Sequence, residues 1–187
     1  MPRALSSAPT VPALGRRALA VVAGALAVAV ASQVALPVPG TPVPVSLAPL
    51  AVVLVGGLLG ARTGAAALAA YLAMGVLGLP VFAPEGLPGA ARLLGPTGGY
   101  LLAFPVAAAL AGAVTARGAS WPRALLAPAL GIVVIYAGGT AQLVALTGSV
   151  ERAALLGAAP FVVADLAKIG VAALVLRRFV PATRAPR

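Results

Sequence analysis

The sequence predicts an all-α integral membrane protein, a bundle of about six transmembrane helices formed by one chain of 187 residues. Three observations predict it. Apolar residues make up 61% of the chain and only 9% are charged, whereas soluble domains run nearer half apolar and about a quarter charged. The mean hydropathy is +1.09. Long apolar runs alternate with short breaks rich in proline, glycine or arginine. Too little charge remains to coat a water-facing surface, and a bilayer is the solvent that tolerates such a chain.

Residues 1–17 form a polar lead with Arg3, Arg16 and Arg17. Basic residues before an apolar run also fit a cleaved signal peptide. The run over 18–36 is long enough to span, and further spans follow it, so it is read as the first helix. Pro37, Pro39, Pro42 and Pro44 end it, because proline lacks the amide donor and clashes with the preceding turn. A second helix is predicted over 47–60, with Pro49 in its first turn. Arg62 and Gly64 mark a tight turn before a third helix over 65–79. Both are short for a full span, which predicts tilt or local thinning. Residues 80–96 hold four prolines, three glycines and two charges, and such backbone cannot lie against lipid. A fourth helix is predicted over 97–116, a fifth over 124–147 and a sixth over 160–179. A basic turn at 117–123 and a loop at 148–159 with Glu151 and Arg152 separate them. The chain therefore divides into a lead (1–17), a six-helix membrane domain (18–180) and a basic tail (181–187).

Charge sets the expected topology. With six spans, Arg3, Arg16, Arg17, Arg62, Arg117, Arg123, Arg177, Arg178, Arg184 and Arg187 share one side, while Arg92 and Arg152 lie on the other. The positive-inside bias places both termini in the cytoplasm and the loops at 37–46 and 80–96 outside. The net charge of +10 then reflects topology and anionic headgroups. A nucleic-acid partner is rejected, since the arginines sit at the ends of apolar stretches.

Cysteine and histidine are absent, which excludes disulfides, thiol nucleophiles, histidine acid–base chemistry and thiolate or imidazole metal sites. No phosphate-binding G-x-x-x-x-G-K-[ST] stretch exists. Active transport would draw energy from a partner or an ion gradient, and no cofactor of the chain's own is expected.

Few residues can carry chemistry. Asp165 and Lys168 stand three apart in APFVVADLAKIG and project from one helix face. Counted from Pro160, Asp165 lies roughly 7–8 Å into the last helix. Ionisable groups at that depth face a cavity or each other. Two readings stay open: a mutually neutralising structural pair, or a polar anchor for a ligand. An acceptor beside a donor suits an amide- or urea-like group or a zwitterion. Arg92 stands just before GPTGGY (95–100); its fork suits a carboxylate, and a solvated charge is the plainer reading. Gly98 permits close backbone approach. The hydroxyls of Tyr71, Tyr100 and Tyr136 either face a cavity or anchor at the interface. In the first helix, Ala23, Ala27 and Ala31, and also Ala20 and Gly24, recur at four-residue spacing that permits close helix contact.

The stretches VPVS (43–46), YLAMGVLGLPVF (71–82), LLGPTGGYLLAF (93–104) and PFVVADLAK (160–168) resemble the BioY family, in the right order and over about 160 residues. BioY proteins are the biotin-binding S components of energy-coupling factor (ECF) transporters. The resemblance implies a six-helix S-component bundle with biotin held near the outer face. It maps the family's ligand-binding aspartate and lysine onto Asp165 and Lys168, with the ureido ring as their partner. It makes Arg92 the candidate for the valerate carboxylate, and Ser46, Tyr71, Gly98 and Tyr100 further candidate contacts. It implies that Ala23, Ala27 and Ala31 meet a transmembrane coupling subunit, and that two ATPase subunits, or else further copies of this chain, complete the assembly. ATP would be used by those partners. One departure is visible: relatives often read P-[VI]-T-L-Q at the start of the second helix, and this chain reads Pro44, Val45, Ser46, Leu47, Ala48. The hydroxyl is kept and the amide is lost. Rival readings are an S component for another vitamin, an intramembrane enzyme using Asp165 and Lys168 as acid and base, and a purely structural subunit.

Overall fold

The computed structural model describes residues 13–181. Arg3, Arg184, Arg187, most of the lead and all but the first residue of the tail lie outside the described residues. Six main helices form the bundle: α1 (Ala13–Gln33), α2 (Ala48–Leu59), α3 (Ala61–Val76), α5 (Gly98–Thr115), α6 (Trp121–Thr147) and α8 (Val162–Phe179). Two shorter ones, α4 (Ala91–Leu94) and α7 (Val150–Gly157), sit in the connections. Four helical stretches, 14–33, 98–115, 121–147 and 150–179, are long and apolar enough to cross a membrane. At 12 and 16 residues, α2 and α3 are shorter than the roughly 20 residues a full span needs.

Large apolar side chains face outward along the bundle, among them Leu19, Leu26, Val30, Leu102, Val106, Val133, Leu166 and Leu174. That is the inverse of a soluble fold and matches lipid as the surrounding solvent. Inside, small residues let backbones approach. A methyl group added to Gly99 of α5 would overlap the Gly138 carbonyl of α6, so these two helices meet almost backbone to backbone. α5 is the central helix and packs on α2, α3 and α6. α1 lies on α3 and α2, and α8 closes the bundle against α6 and α2.

Several boundaries differ from the sequence reading. α1 begins at Ala13 and takes in Arg16 and Arg17, since a basic turn that reaches the headgroups can stay helical. It ends at Gln33, because residues 35–36 pair antiparallel with 45–46 as a small hairpin. The turn between α2 and α3 is the single residue Gly60, whose φ of 87° suits glycine. Arg62 and Gly64 lie in the first turn of α3 instead. The predicted loop over 148–159 is largely α7, started by Ser149, whose side chain accepts from the Arg152 amide at 3.2 Å.

Most of the described arginines gather at one end, at the start of α1, the α2–α3 and α5–α6 turns and the end of α8, whereas Arg92 and Arg152 lie at the other. Arg177 donates to the Ala119 carbonyl at 3.1 Å and stacks over Trp121, and Arg123 donates to the Arg117 carbonyl at 2.9 Å.

Candidate functional site

The opposite end of the bundle, where α1, α3 and α6 finish and α2, α5 and α8 begin, holds two adjoining cavities. They share the walls Val43, Pro44, Ser46, Pro49, Tyr100 and Ile135. Both are open clefts, which enclose about 510 and 360 Å³ when the solvent in their mouths is included. The first adds Ser32, Tyr71, Arg92 and Phe104; the second adds Tyr136, Asp165 and Lys168. Cationic Arg92 thus stands at one end of a mostly apolar, two-lobed space and the Asp165–Lys168 pair at the other.

Asp165 and Lys168 are both buried in the first turns of α8, and Lys168 Nζ meets Asp165 Oδ1 at 2.6 Å. Tyr136 of α6 donates to the second carboxylate oxygen at 2.5 Å. Each oxygen therefore has one partner and retains a lone pair directed elsewhere, while Lys168 keeps two further N–H donors. The group can accept from and donate to a neutral, planar, urea-like ligand.

Arg92 is 4% exposed although it lies in a connection. The segment before α5 folds around it: Nη2 donates to the Ala83 carbonyl at 3.1 Å, and the guanidinium lies against Gly86. Its Nε is buried with no partner. Burial draws its pKa below the ordinary guanidinium value, and from so high a starting point the group remains cationic in any physiological medium. A buried cation with donors to spare is a receptor for an anion.

The other predicted residues fall into distinct places. Ser46 lines both cavities, and its Oγ accepts from the Ala48 amide at 3.4 Å, which leaves its own hydrogen free. Tyr71 is fully buried against the first cavity. Ser32 donates to the Val28 carbonyl at 2.8 Å, so in its 2.9 Å contact with Tyr71 the tyrosine is the donor. Tyr100 contributes its ring to both cavities, but its hydroxyl is committed to the Gly157 carbonyl at 2.6 Å. Its role is that of a wall tied to α7. Gly98 lines neither cavity: a Cβ there would overlap the Leu93 carbonyl and crowd Gln142, so its smallness serves packing of the loop on α6. Ala48, the position of the departure from the family pattern, lines the first cavity.

On α1 the two small-residue stripes separate. Gly24 faces inward against Ala67, Leu59 and Val55, while Ala23 and Ala27 are exposed and Ala31 half-exposed. Among the described residues, no group of three or more Asp or Glu side chains could hold a metal ion.

Fold and site together define a class: a multi-span membrane protein with a candidate small-molecule site at one end of its bundle. The chain belongs to the BioY family, whose family model matches residues 5–185. It is 39% identical over 137 residues to a probable biotin transporter BioY of Pyrococcus horikoshii, covering 73% of this chain and 80% of that one. The biotin transporter BioY of Thermotoga maritima is 38% identical over 141 residues, covering 75% and 83%. That of Rhodobacter capsulatus is 36% identical over 166 residues, covering 82% and 86%. The fold is shared with a crystal structure described as the S-component for biotin from an ECF-type ABC transporter, at a TM-score of 0.80 and 23% identity over 91% of this chain and 94% of that one.

Proposed function

We propose that this chain is a biotin-binding membrane subunit that captures the vitamin at the outer face for uptake. The observation that carries the reading is the placement of Arg92 and the Asp165–Lys168 pair at opposite ends of one two-lobed apolar space. Biotin has matching chemistry: a urea-like ring at one end, an apolar middle and a carboxylate at the other. The ureido group would sit at Asp165 and Lys168, the thiophane ring against Tyr100 and Ile135, and the valerate carboxylate at Arg92. Ser46 would offer its hydroxyl between them. The family and the names of its relatives support the ligand.

The same reading makes the chain an S component with both termini cytoplasmic in a plasma membrane. A transmembrane coupling subunit, docked on the exposed Ala23, Ala27 and Ala31 face of α1, and two ATPase subunits would supply transport energy; further copies of this chain are the alternative assembly. The chain would carry no catalytic residues, since the Asp165 carboxylate is engaged by Tyr136 and Lys168 rather than poised beside a nucleophile.

Equilibrium binding of labelled biotin to detergent-purified protein tests the reading. Saturable binding that is weakened by Asp165→Asn and Lys168→Ala is the expected result. A folded wild type that leaves biotin unbound overturns it.

A further inference from the structure

The segment from 80 to 97 is the longest break between helices, and it carries Arg92. Side-chain amides from two other elements pin it on both sides of that residue. Gln142 of α6 commits both hydrogens of its amide nitrogen to the segment, 2.8 Å to the Leu93 carbonyl and 2.7 Å to that of Gly95. These carbonyls come directly after Arg92. Gln33, the last residue of α1, donates to the Phe82 carbonyl at 3.0 Å and reaches those of Pro80 and Val81 at 3.3 and 3.4 Å. The next carbonyl along, that of Ala83, is the one that accepts from Arg92 at 3.1 Å. The guanidinium is thus suspended between two anchored points. Its remaining contact, to Leu87 at 3.5 Å, is long for a hydrogen bond. A buried cation with unpaired donors favours opening of its loop to water, and the two amides oppose that opening.

We propose that Gln142 and Gln33 are positioning residues for the carboxylate end of the site, holding the 80–97 segment so that Arg92 meets a ligand carboxylate already in place. The inference rests on the biotin reading above. Neither glutamine lines the cavities, so their action passes through Arg92. Preorganisation of this kind raises affinity by removing an ordering cost that binding would otherwise carry. Its loss falls on the charged end of the ligand and spares the ring.

The test uses the full chain in detergent with two probes, biotin and biotinamide, whose neutral carboxamide cannot form the charge-assisted pair. Dissociation constants are measured for wild type, Gln142→Leu, Gln33→Leu, and each of these combined with Arg92→Ala. Each glutamine variant is expected to weaken biotin about ten-fold and biotinamide by less than about two-fold, with no further loss once Arg92 is gone. Biotinamide binding reports that each variant is folded. Equal weakening of both probes, or no change with either, overturns the positioning role while leaving the biotin reading intact. A wild type that binds neither probe removes the biotin reading, and this inference falls with it.

Discussion

Tyr136 reaches across from α6 to hold one oxygen of Asp165 at 2.5 Å while Lys168 holds the other at 2.6 Å. The carboxylate is therefore oriented from two directions before any ligand arrives. Tyr136→Phe keeps the ring and removes one hydrogen bond to a buried charge. It should lower the stability of the detergent-purified protein by about 1.5–3 kcal/mol, read as a lower unfolding temperature, and weaken biotin binding as well. Unchanged stability would show that the tyrosine hydroxyl does not hold the carboxylate.

The Asp165–Lys168 pair separates a structural role from a binding role by the order of its variants. Lys168→Met leaves a buried carboxylate without its cation, and breaking such a pair costs about 3–5 kcal/mol. The double variant Asp165→Leu, Lys168→Met removes both charges, and apolar replacement of a whole buried pair is often neutral. The double variant should thus unfold at a higher temperature than the single one, yet bind no biotin. Retained binding in the double variant would reduce the pair to a structural element.

Much of this was legible in the sequence, for a physical reason. An ionisable residue inside an apolar run is costly, so Asp165 and Lys168 stand out without any structure, whereas Arg92 lies in a connection and its burial is visible only in the fold. Helix number followed from proline and glycine breaks, but four-residue spacing marked two small-residue stripes on α1 and did not say which faces inward. Tyr136 did not declare its partner, because it and Asp165, 29 positions apart, belong to different helices and no periodicity links them. Gln33 and Gln142 were hidden likewise: each is one polar residue near a helix end, and its value lies in carbonyls 47 to 49 residues away. The helix α7 left a signal that was readable, Ser149 as N-cap with Glu151 in the first turn, but eight residues between two spans read more simply as a loop. Ala48 shows the reverse case. The departure from the family pattern was visible, and only the structure places that side chain on the cavity wall.

Gly86 tests the nest around Arg92. Its φ is 104°, and a Cβ there would overlap the Arg92 guanidinium. Gly86→Ala therefore carries backbone strain of about 1–2 kcal/mol and displaces the cation. Biotin affinity should fall about ten-fold or more, and biotinamide affinity much less. Comparable losses for both ligands would mean that the segment as a whole had unfolded.

The loop between the hairpin strands supplies Val43 and Pro44 to both cavities. It is tied to α7 by Thr41, whose hydroxyl donates to the Leu156 carbonyl at 2.5 Å and accepts from the Val43 amide at 3.1 Å. α7 is itself held at the adjoining residue by the Tyr100–Gly157 bond. The Thr41 hydroxyl therefore ties this wall of the candidate site to α7. Thr41→Val conserves shape and removes both bonds, a loss of about 1 kcal/mol for each net hydrogen bond. Because the loop lies outside the polar contacts at either end, its loosening should act on escape rather than on recognition. The dissociation rate of biotin, followed by chase with unlabelled ligand, should rise roughly three- to ten-fold with little change in the association rate. A slowed association with unchanged dissociation would show instead that the tie holds the site open for capture.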